Sequence, residues 1–249
     1  GGDVPTGRGF IIPGFYGATI GNDCNIVTFS RGGSDVTASL VAAALDEHDV
    51  VRGCRSLGDE SSIVHENFTD VDGVYQADPR VCSAARIVNR IDYDQCRAMS
   101  LAGATVLHPD AVSPLQARGV PLWVRNAGTF HPNQVEEEFT IVSKHAMRID
   151  RSLNSIGEAV AASNAIGAID AAVLAVCRNK STVTVVCKNN VDEELLLELL
   201  QRLKQVLSES NIGGSSWYCG SMSVAFDVGN GEEDKATRSV FDCLFSKIS

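Results

Sequence analysis

The sequence predicts an α/β protein built from two parts, a layered unit followed by a smaller ferredoxin-like one. In the first half, short apolar or alternating segments typical of strands take turns with longer Ala- and Leu-rich segments typical of helices. In the second half, strand, amphipathic helix, hairpin and closing helix patterns follow one another in the order β-α-β-β-α. The length of 249 residues is sufficient for two such units.

Composition and charge exclude several classes of protein. The hydrophobic fraction of 44% and the charged fraction of 21% are ordinary for a globular chain. A net charge of −10 argues against nucleic acid or an anionic membrane as the main partner. No apolar run approaches the roughly 20 residues that span a bilayer, and the first residues carry no secretory signal. The eight cysteines form no C-x-x-C pair, which predicts free thiols, several of them in the core, and a cytoplasmic location with organelle targeting left open.

Three elements are predicted before residue 46: a short buried strand at 10–12, a strand at 24–29 and a helix at 34–45. Ser34 or Asp35 is expected to cap that helix. The polar stretch from 46 to 65 has no clear period and predicts a surface loop.

The rest of the first part is predicted as a helix at 93–101, a helix at 109–119 and a strand at 120–124. The Gly-, Pro- and Asn-containing acidic stretch at 128–138 predicts a boundary, which gives domains at 1–131 and 132–249.

The second part is predicted as a strand at 181–188, a helix at 191–208, hairpin strands at 215–219 and 222–228, and a helix at 235–245. This order is most of a ferredoxin-like unit. Before it, residues 155–165 fit a helix.

The first of three chemically suggestive clusters is Ser30-Arg31-Gly32-Gly33-Ser34-Asp35, which follows a predicted strand and opens a helix. The glycines let the backbone approach a ligand, the helix start presents N–H groups to an anion, and Arg31 offers a fork for a carboxylate or phosphate. The cluster is also compatible with a tight turn that carries a solvated arginine and a helix cap.

The second cluster, residues 68–80, crowds acids, a glycine, a proline and an arginine behind a short apolar lead. Such a loop is suited to a nucleotide, with Thr and Asp for the sugar or base, an aromatic ring for packing and Arg for phosphate. The alternative is a turn-rich surface loop whose Asp side chains form Asx-turns.

The third cluster, residues 102–109, combines a helix stop, an extended apolar stretch and a new helix start. His108 before Pro109 is more typical of a packing or capping histidine than of a catalyst. The spacing shows no nucleophile–base pair, so no catalytic residue and no metal ligand is assigned.

Together these stretches resemble the aspartate kinase branch of the amino-acid kinase family. In the family's order they are PGFYGAT, RGGSD, TDVDGVYQADPR, GATVLHP and PLWVRN, which lie between residues 10 and 126. The resemblance implies the C-terminal half of a three-layer α/β/α kinase domain. Residues 221–228 and 234–238 resemble the family's second ACT unit, which implies that a regulatory ACT domain follows.

By this resemblance, the protein would transfer the γ-phosphoryl group of ATP to the side-chain carboxylate of L-aspartate, giving 4-phospho-L-aspartate for lysine, threonine and methionine synthesis. Arg31 and Ser34 would bind aspartate. The residues expected to bind ATP, with Mg²⁺ bridging its phosphates, are Thr69, Asp70, Tyr75, Arg80, Thr105 and Val106. Lysine or threonine would be the effector, and the ACT units would join subunits into a homodimer or larger assembly.

The sequence departs from the family pattern at several places. Thr105 stands where the family has a nucleotide-binding lysine, and Ser30 stands where it has glycine. The 46–65 segment makes one gap about fifteen residues longer than usual, which a surface loop tolerates cheaply. Lys188 to Val191 replaces the usual Pro-Gly effector loop. The family's Lys-Phe-Gly-Gly-Thr loop and the half-domain behind it are not in this sequence, so the chain alone is expected to be inactive.

Two alternatives to an active aspartate kinase follow from these departures. One is a degenerate kinase–ACT protein that binds a nucleotide or amino acid in regulation or assembly, without turnover. The other is a relative that phosphorylates a different carboxylate, such as that of glutamate.

Overall fold

The computed structural model describes residues 9–21, 23–29, 31–54, 56, 59–104, 107–130, 139–144, 172–188 and 191–245. The helix predicted at 155–165 lies outside these residues, as do Thr105, Val106 and most of the predicted boundary segment. Within the described ranges, no helix combines the length and the apolar character that crossing a membrane requires.

The described chain contains ten strands and five helices, numbered here in chain order. The elements of the first sheet region are β1 Tyr16–Ala18, β2 Ile26–Thr28, α1 Gly33–Val51, β3 His65–Thr69, β4 Arg90–Ile91, α2 Tyr93–Leu101, α3 Pro109–Arg118, β5 Leu122–Asn126 and β6 Thr140–Val142. The second sheet region is called the C-terminal unit below. Its elements are β7 Val173–Asn179, β8 Thr182–Cys187, α4 Glu193–Glu209, β9 Gly214–Cys219, β10 Ser223–Val228 and α5 Glu233–Phe245.

The four-stranded sheet of this region, called the first sheet below, has the strand order β3-β5-β6-β4 and is mixed. β3 runs parallel to β5, with His65 opposite Leu122, whereas β5 and β6 are antiparallel. The helices α1, α2 and α3 lie together, and Val112, Leu115, Leu122 and Val124 are fully solvent-excluded in the core. Burial of these side chains is the main source of stability for this layer.

Helices α2 and α3 begin and end where the sequence predicts. Asp92 forms a capping box with Gln95 at the start of α2. Pro109 occupies the first turn of α3, and Gly119 ends that helix with a φ of 70°. These local signals were sufficient because each of them satisfies backbone groups that the helix itself leaves unpaired.

Two predictions near the start of the chain are wrong. Residues 10–12 are not a strand: Phe10 is 86% exposed and Ile11 99% exposed, and no described strand lies alongside to pair with them. Helix α1 is capped by neither Ser34 nor Asp35; it starts at Gly33 behind Gly32, which has a φ of 83°. It also continues to Val51, so the first part of the predicted 46–65 loop is helical. The strand predicted at 24–29 is confirmed as β2, which pairs with β1.

The C-terminal unit is an antiparallel sheet in the order β7-β8-β10-β9, with α4 and α5 packed against it. The predicted β-α-β-β-α order is confirmed, but an additional strand, β7, precedes it. β7 is buried along most of its length, so its sequence does not alternate and gives no period by which to distinguish a strand from a helix.

The β7–β8 hairpin contributes side chains to two hydrophobic cores. Val176, Val183 and Val185 pack with the helices of the C-terminal unit. Leu174, Ala175 and Cys177 pack instead with the core of the first sheet. The β7–β8 hairpin is therefore buried on both faces, which fixes β7 beside the loops of the first sheet.

The α/β fold class predicted from the sequence is confirmed. The division into domains at 1–131 and 132–249 stays a prediction. Strand β6 follows residue 131 in the chain and pairs with β4 and β5 of the first sheet.

Candidate functional site

A cleft of about 500 Å³ lies where the loop after β3 faces β7. It is lined by most of residues 70–80, by Gly103 and Ala104, and by residues 176–178 of β7. The cleft therefore draws on two of the three clusters singled out from the sequence and on a strand of the C-terminal unit.

The first half of the loop that forms one wall of the cleft is held by hydrogen bonds to β5 and β6. Asp72 accepts hydrogen bonds from Asn126 Nδ2 at 2.9 Å and from the Tyr75 hydroxyl at 3.1 Å. The Val74 amide donates to Thr140 Oγ1 at 2.8 Å, and an added Cβ at Gly73 would lie 2.7 Å from that same oxygen. The loop is thus a fixed wall rather than a turn that is free in solvent.

Charged side chains meet in the cleft around Asp78. Arg80 Nε and Nη2 donate to the two Asp78 carboxylate oxygens at 3.0 and 2.9 Å, and Arg178 Nη2 lies 3.4 Å from Oδ2. The hydrogen bond from Arg80 is the largest influence holding the pKa of Asp78 below its ordinary value, and Arg178 adds to it, while partial burial acts in the opposite direction. The carboxylate is therefore ionised at neutral pH and orients two guanidinium groups.

Gly103 brings the third cluster against β7. Its φ is +107°, and an added Cβ would lie 2.3 Å from the Arg178 carbonyl oxygen. Only glycine allows two backbones to approach so closely in this conformation. Gly103 and Ala104 thereby line the cleft immediately before Thr105 and Val106.

The other predicted site lies at the start of α1. The described residues provide no side-chain cap for this helix, which begins directly after the turn at Arg31 and Gly32. A Cβ at Gly33 would lie 2.4 Å from the Phe29 Cβ, and one at Gly14 would lie 3.1 Å from the Ser34 Cα. The first two family-like stretches therefore pack together at the start of α1.

His108 connects this helix start to the third cluster. Its amide donates to Asp35 Oδ2 at 3.2 Å, and a Cβ at Gly32 would lie 2.6 Å from its ring. His108 Nδ1 accepts a hydrogen bond from the Asp110 amide at 3.3 Å and so caps α3. The capping role predicted for His108 is the one the structure shows.

The structure brings most of the predicted nucleotide residues to one place. Asp70, Tyr75 and Arg80 line the cleft, and Thr69 adjoins it, with its hydroxyl 3.2 Å from Asp70 Oδ1. Arg31 and Ser34 are exposed at the start of α1, and neither lines the cleft. The roles of all of these residues, with those of Thr105 and Val106, stay predictions.

Sequence interpretation missed three residues of this site. Asp78 stands within the quoted loop, and its position two residues before Arg80 was an available signal for a short-range pair. Gly103 was identified as a helix stop but not as a point of close approach. Arg178 lies on the strand that the sequence did not predict, so nothing in the pattern connected it to the cleft.

Comparison with known proteins gives these features a family context. Residues 65–126 match the amino acid kinase family. An aspartokinase of Thermus thermophilus is 36% identical over 151 residues, which are 60% of this chain and 32% of that protein. Aspartokinase 2 of Bacillus subtilis is 38% identical over 134 residues, 53% of this chain and 28% of that protein. The matched part thus spans about a third or less of these relatives.

Solved structures of aspartate kinases share the fold. Aspartokinase III of E. coli, in complex with aspartate and ADP, aligns with a TM-score of 0.59 at 21% identity, covering 93% of this chain and 60% of that one. The aspartate kinase of Clostridium acetobutylicum aligns with a TM-score of 0.60 at 20% identity, covering 93% and 62%. The resemblance to aspartate kinases inferred from the motifs is confirmed, as is the fold that it implied, a kinase-like sheet followed by an ACT-like unit.

Proposed function

We propose that this chain is part of an aspartate kinase, a phosphotransferase that moves the γ-phosphoryl group of ATP to the side-chain carboxylate of L-aspartate. ATP is its nucleotide, Mg²⁺ accompanies the phosphates, and the product is 4-phospho-L-aspartate. The named relatives support this assignment, and the described geometry is consistent with it.

The observation that carries the proposal is the position of the third cluster, which contacts both predicted half-sites. Gly103 and Ala104 line the cleft, and His108, a few residues later, packs against Gly32 and holds Asp35. Phosphoryl transfer depends on positioning two substrates close together and on neutralising charge, with little covalent chemistry by the protein. One short segment that supports both a nucleotide cleft and an anion-binding helix start serves that requirement.

The start of α1, which has no side-chain cap, suits the acidic substrate. Unpaired N–H groups at a helix start attract carboxylates, and the exposed Arg31 adds a guanidinium that can bind one in a bidentate manner. Ser34 contributes a hydroxyl at the first turn. In a protein with a net charge of −10, such a local concentration of donors is what allows an anion to bind.

The cleft suits a nucleotide. Asp70 and Thr69 offer acceptors and donors to a ribose, Tyr75 offers a ring, and Arg80 offers its guanidinium to phosphate. The described residues hold no group of three or more His, Cys, Asp or Glu placed for a metal. Mg²⁺ is commonly held chiefly through nucleotide phosphates, where it would neutralise charge on the transferred group.

Regulation and assembly extend the same proposal. A further aspartokinase III structure, of the lysine- and aspartate-bound T-state, aligns with a TM-score of 0.54 at 20% identity. For this chain we propose that lysine or threonine is an effector that acts through the C-terminal unit. We also propose that this unit joins subunits into a homodimer or larger assembly.

The proposal is tested with the complete protein by trapping the acyl phosphate. Aspartate, ATP and hydroxylamine should together give aspartyl hydroxamate, and omitting either substrate should abolish it. Arg31→Lys should raise the KM for aspartate about tenfold or more with little change in the KM for ATP, because lysine cannot form the bidentate contact. Arg97→Lys, an exposed arginine on α2 outside the cleft lining, is the matched control. Absence of hydroxamate with a folded complete protein would refute the activity.

Thr105 favours a second candidate, a protein that binds these ligands without turnover. The resemblance places a nucleotide-binding lysine at this position, and threonine has no charge to offer to phosphate. Thr105→Lys separates the two functions. A large gain in ATP affinity together with newly acquired hydroxamate formation would indicate a site that has lost its activity, whereas unchanged kinetics would indicate that Thr105 is compatible with catalysis.

A further inference from the structure

Arg178 is a cation of the C-terminal unit that reaches the cleft of the first sheet. Its Nη2 lies 3.4 Å from Asp78 Oδ2 in the cleft, and its Nη1 lies 2.8 Å from Asp234 Oδ1 at the start of α5. The side chain is 35% exposed, so its tip remains accessible to a ligand. One guanidinium thus faces a carboxylate in each unit.

The backbone that carries Arg178 is fixed to the cleft. The Val176 amide donates to the Gln76 carbonyl at 2.7 Å, which joins β7 to the loop that forms the opposite wall. The Arg178 carbonyl is itself packed against Gly103. The base of the side chain is therefore held in place, and only the guanidinium end is free to exchange partners.

The charge of the lining shows what Arg178 contributes. The ionised side chains that line the cleft are Asp70, Asp78, Arg80 and Arg178, and they sum to zero. Without Arg178 the lining would carry a net negative charge and would repel a polyphosphate. Each guanidinium has five N–H donors, and pairing with Asp78 leaves several of them available to further oxygens.

We propose that Arg178 is a second polyphosphate-binding residue of the cleft, acting beside Arg80 and supplied by the C-terminal unit. This inference depends on the proposed nucleotide binding. Phosphate oxygens take the place of Asp234 as the partner of Nη1, so that Asp234 competes with the nucleotide for the same cation. The affinity of the cleft for nucleotide then depends on the position of α5.

A purely structural role for Arg178 explains less. Asp234 is 60% exposed, and an ion pair at such a site is screened and adds little to stability. A separate hydrogen bond, from Arg238 Nε to the Val81 carbonyl at 3.2 Å, already joins α5 to the cleft loop. The contact between the units therefore does not need Arg178, whereas the charge of the cleft does.

The test compares ADP with adenosine, which lacks phosphate, by titration calorimetry on the complete protein. Arg178→Gln should weaken ADP binding about tenfold or more, because it removes a charge-assisted hydrogen bond, and should leave adenosine binding within about twofold. Arg178→Lys should recover part of the loss. Asp234→Asn should tighten ADP binding by up to about fivefold, because it removes the competing carboxylate. Arg97→Gln is the charge-matched control and should change neither affinity.

The outcomes distinguish this inference from the proposed function. Wild-type protein that binds no ADP would refute both. Wild-type protein that binds ADP, with Arg178→Gln binding it equally well or losing adenosine to the same degree, would overturn the inference alone. If Arg178→Gln does not fold, Asp234→Asn decides the question, since it retains the arginine: unchanged or weaker ADP binding would overturn the proposal.

Discussion

Replacing Gly103 by alanine tests the contact that closes the cleft, because this glycine lies where the loop after α2 meets β7. Its φ of +107° is a conformation that an L-residue adopts only with strain, of about 1–3 kcal/mol. The new Cβ would also lie 2.3 Å from the Arg178 carbonyl oxygen and 2.9 Å from the carbonyl carbon. Both are backbone atoms that cannot rotate away, and overpacking of this kind costs about 1–3 kcal/mol.

These contributions combine to an expected loss of about 3.5 kcal/mol in the free energy of unfolding for Gly103→Ala. The sum takes the middle of each range and subtracts the roughly 0.5 kcal/mol that alanine gains by restricting the unfolded chain. Urea unfolding followed by circular dichroism measures it as a lower midpoint at an unchanged slope. ADP binding should also weaken, because relief of the clash displaces the strand that carries Arg178.

Gly119 provides the matched control. It too ends a helix with a positive φ, of +70°, but a Cβ there would have no atom within 4 Å. Gly119→Ala should therefore lose about 1 kcal/mol, from the backbone conformation alone. Equal losses for the two variants would show that Gly103 makes no close approach to β7, and the cleft described above would then be wrong.

Three other predictions concern buried groups. Asp46 is fully buried and pairs with Arg118 Nε at 3.3 Å. Asp46→Asn should lower the free energy of unfolding, measured in urea, by about 3 kcal/mol, because it leaves the cation uncompensated. Asp49→Asn, nearer the surface, is the control and should cost less than about 1 kcal/mol. Burial lowers the pKa of His65, so that on acidification the unfolded chain takes up a proton before the folded one. The free energy of unfolding should therefore fall as the pH drops below 6.5 in the wild type, and less steeply in His65→Gln. Parallel curves of unfolding free energy against pH for the two proteins would refute this. Burial raises the pKa of the Cys96 and Cys177 thiols to about 12 and that of the Cys82 and Cys187 thiols to about 11. An aromatic disulfide reagent should therefore label these four buried cysteines only after denaturation, whereas it should label the exposed Cys24, Cys54 and Cys219 quickly.

The sequence alone determined the elements whose signals are local. The limits of α2 and α3 follow from Asp92, Pro109 and Gly119, because caps and helix-ending glycines satisfy backbone groups within a few residues. The amphipathic α4 follows from its leucine spacing, and the clusters around Arg31 and residues 68–80 follow from residue types that suit anions and nucleotides. These features needed no knowledge of what lies elsewhere in the chain.

Only the tertiary structure decided how those pieces meet. Strand β7 is buried on both faces and has no readable period, and the contacts of Arg178 with Asp78 and of Gly103 with β7 join residues that are far apart in sequence. At Phe10 and Ile11 the sequence predicted a strand that the structure does not contain, and both side chains are exposed. An apolar run becomes a strand only when another strand pairs with it. Long-range pairing depends on which surfaces remain to be buried once the local elements have formed, and a one-dimensional pattern does not contain that information.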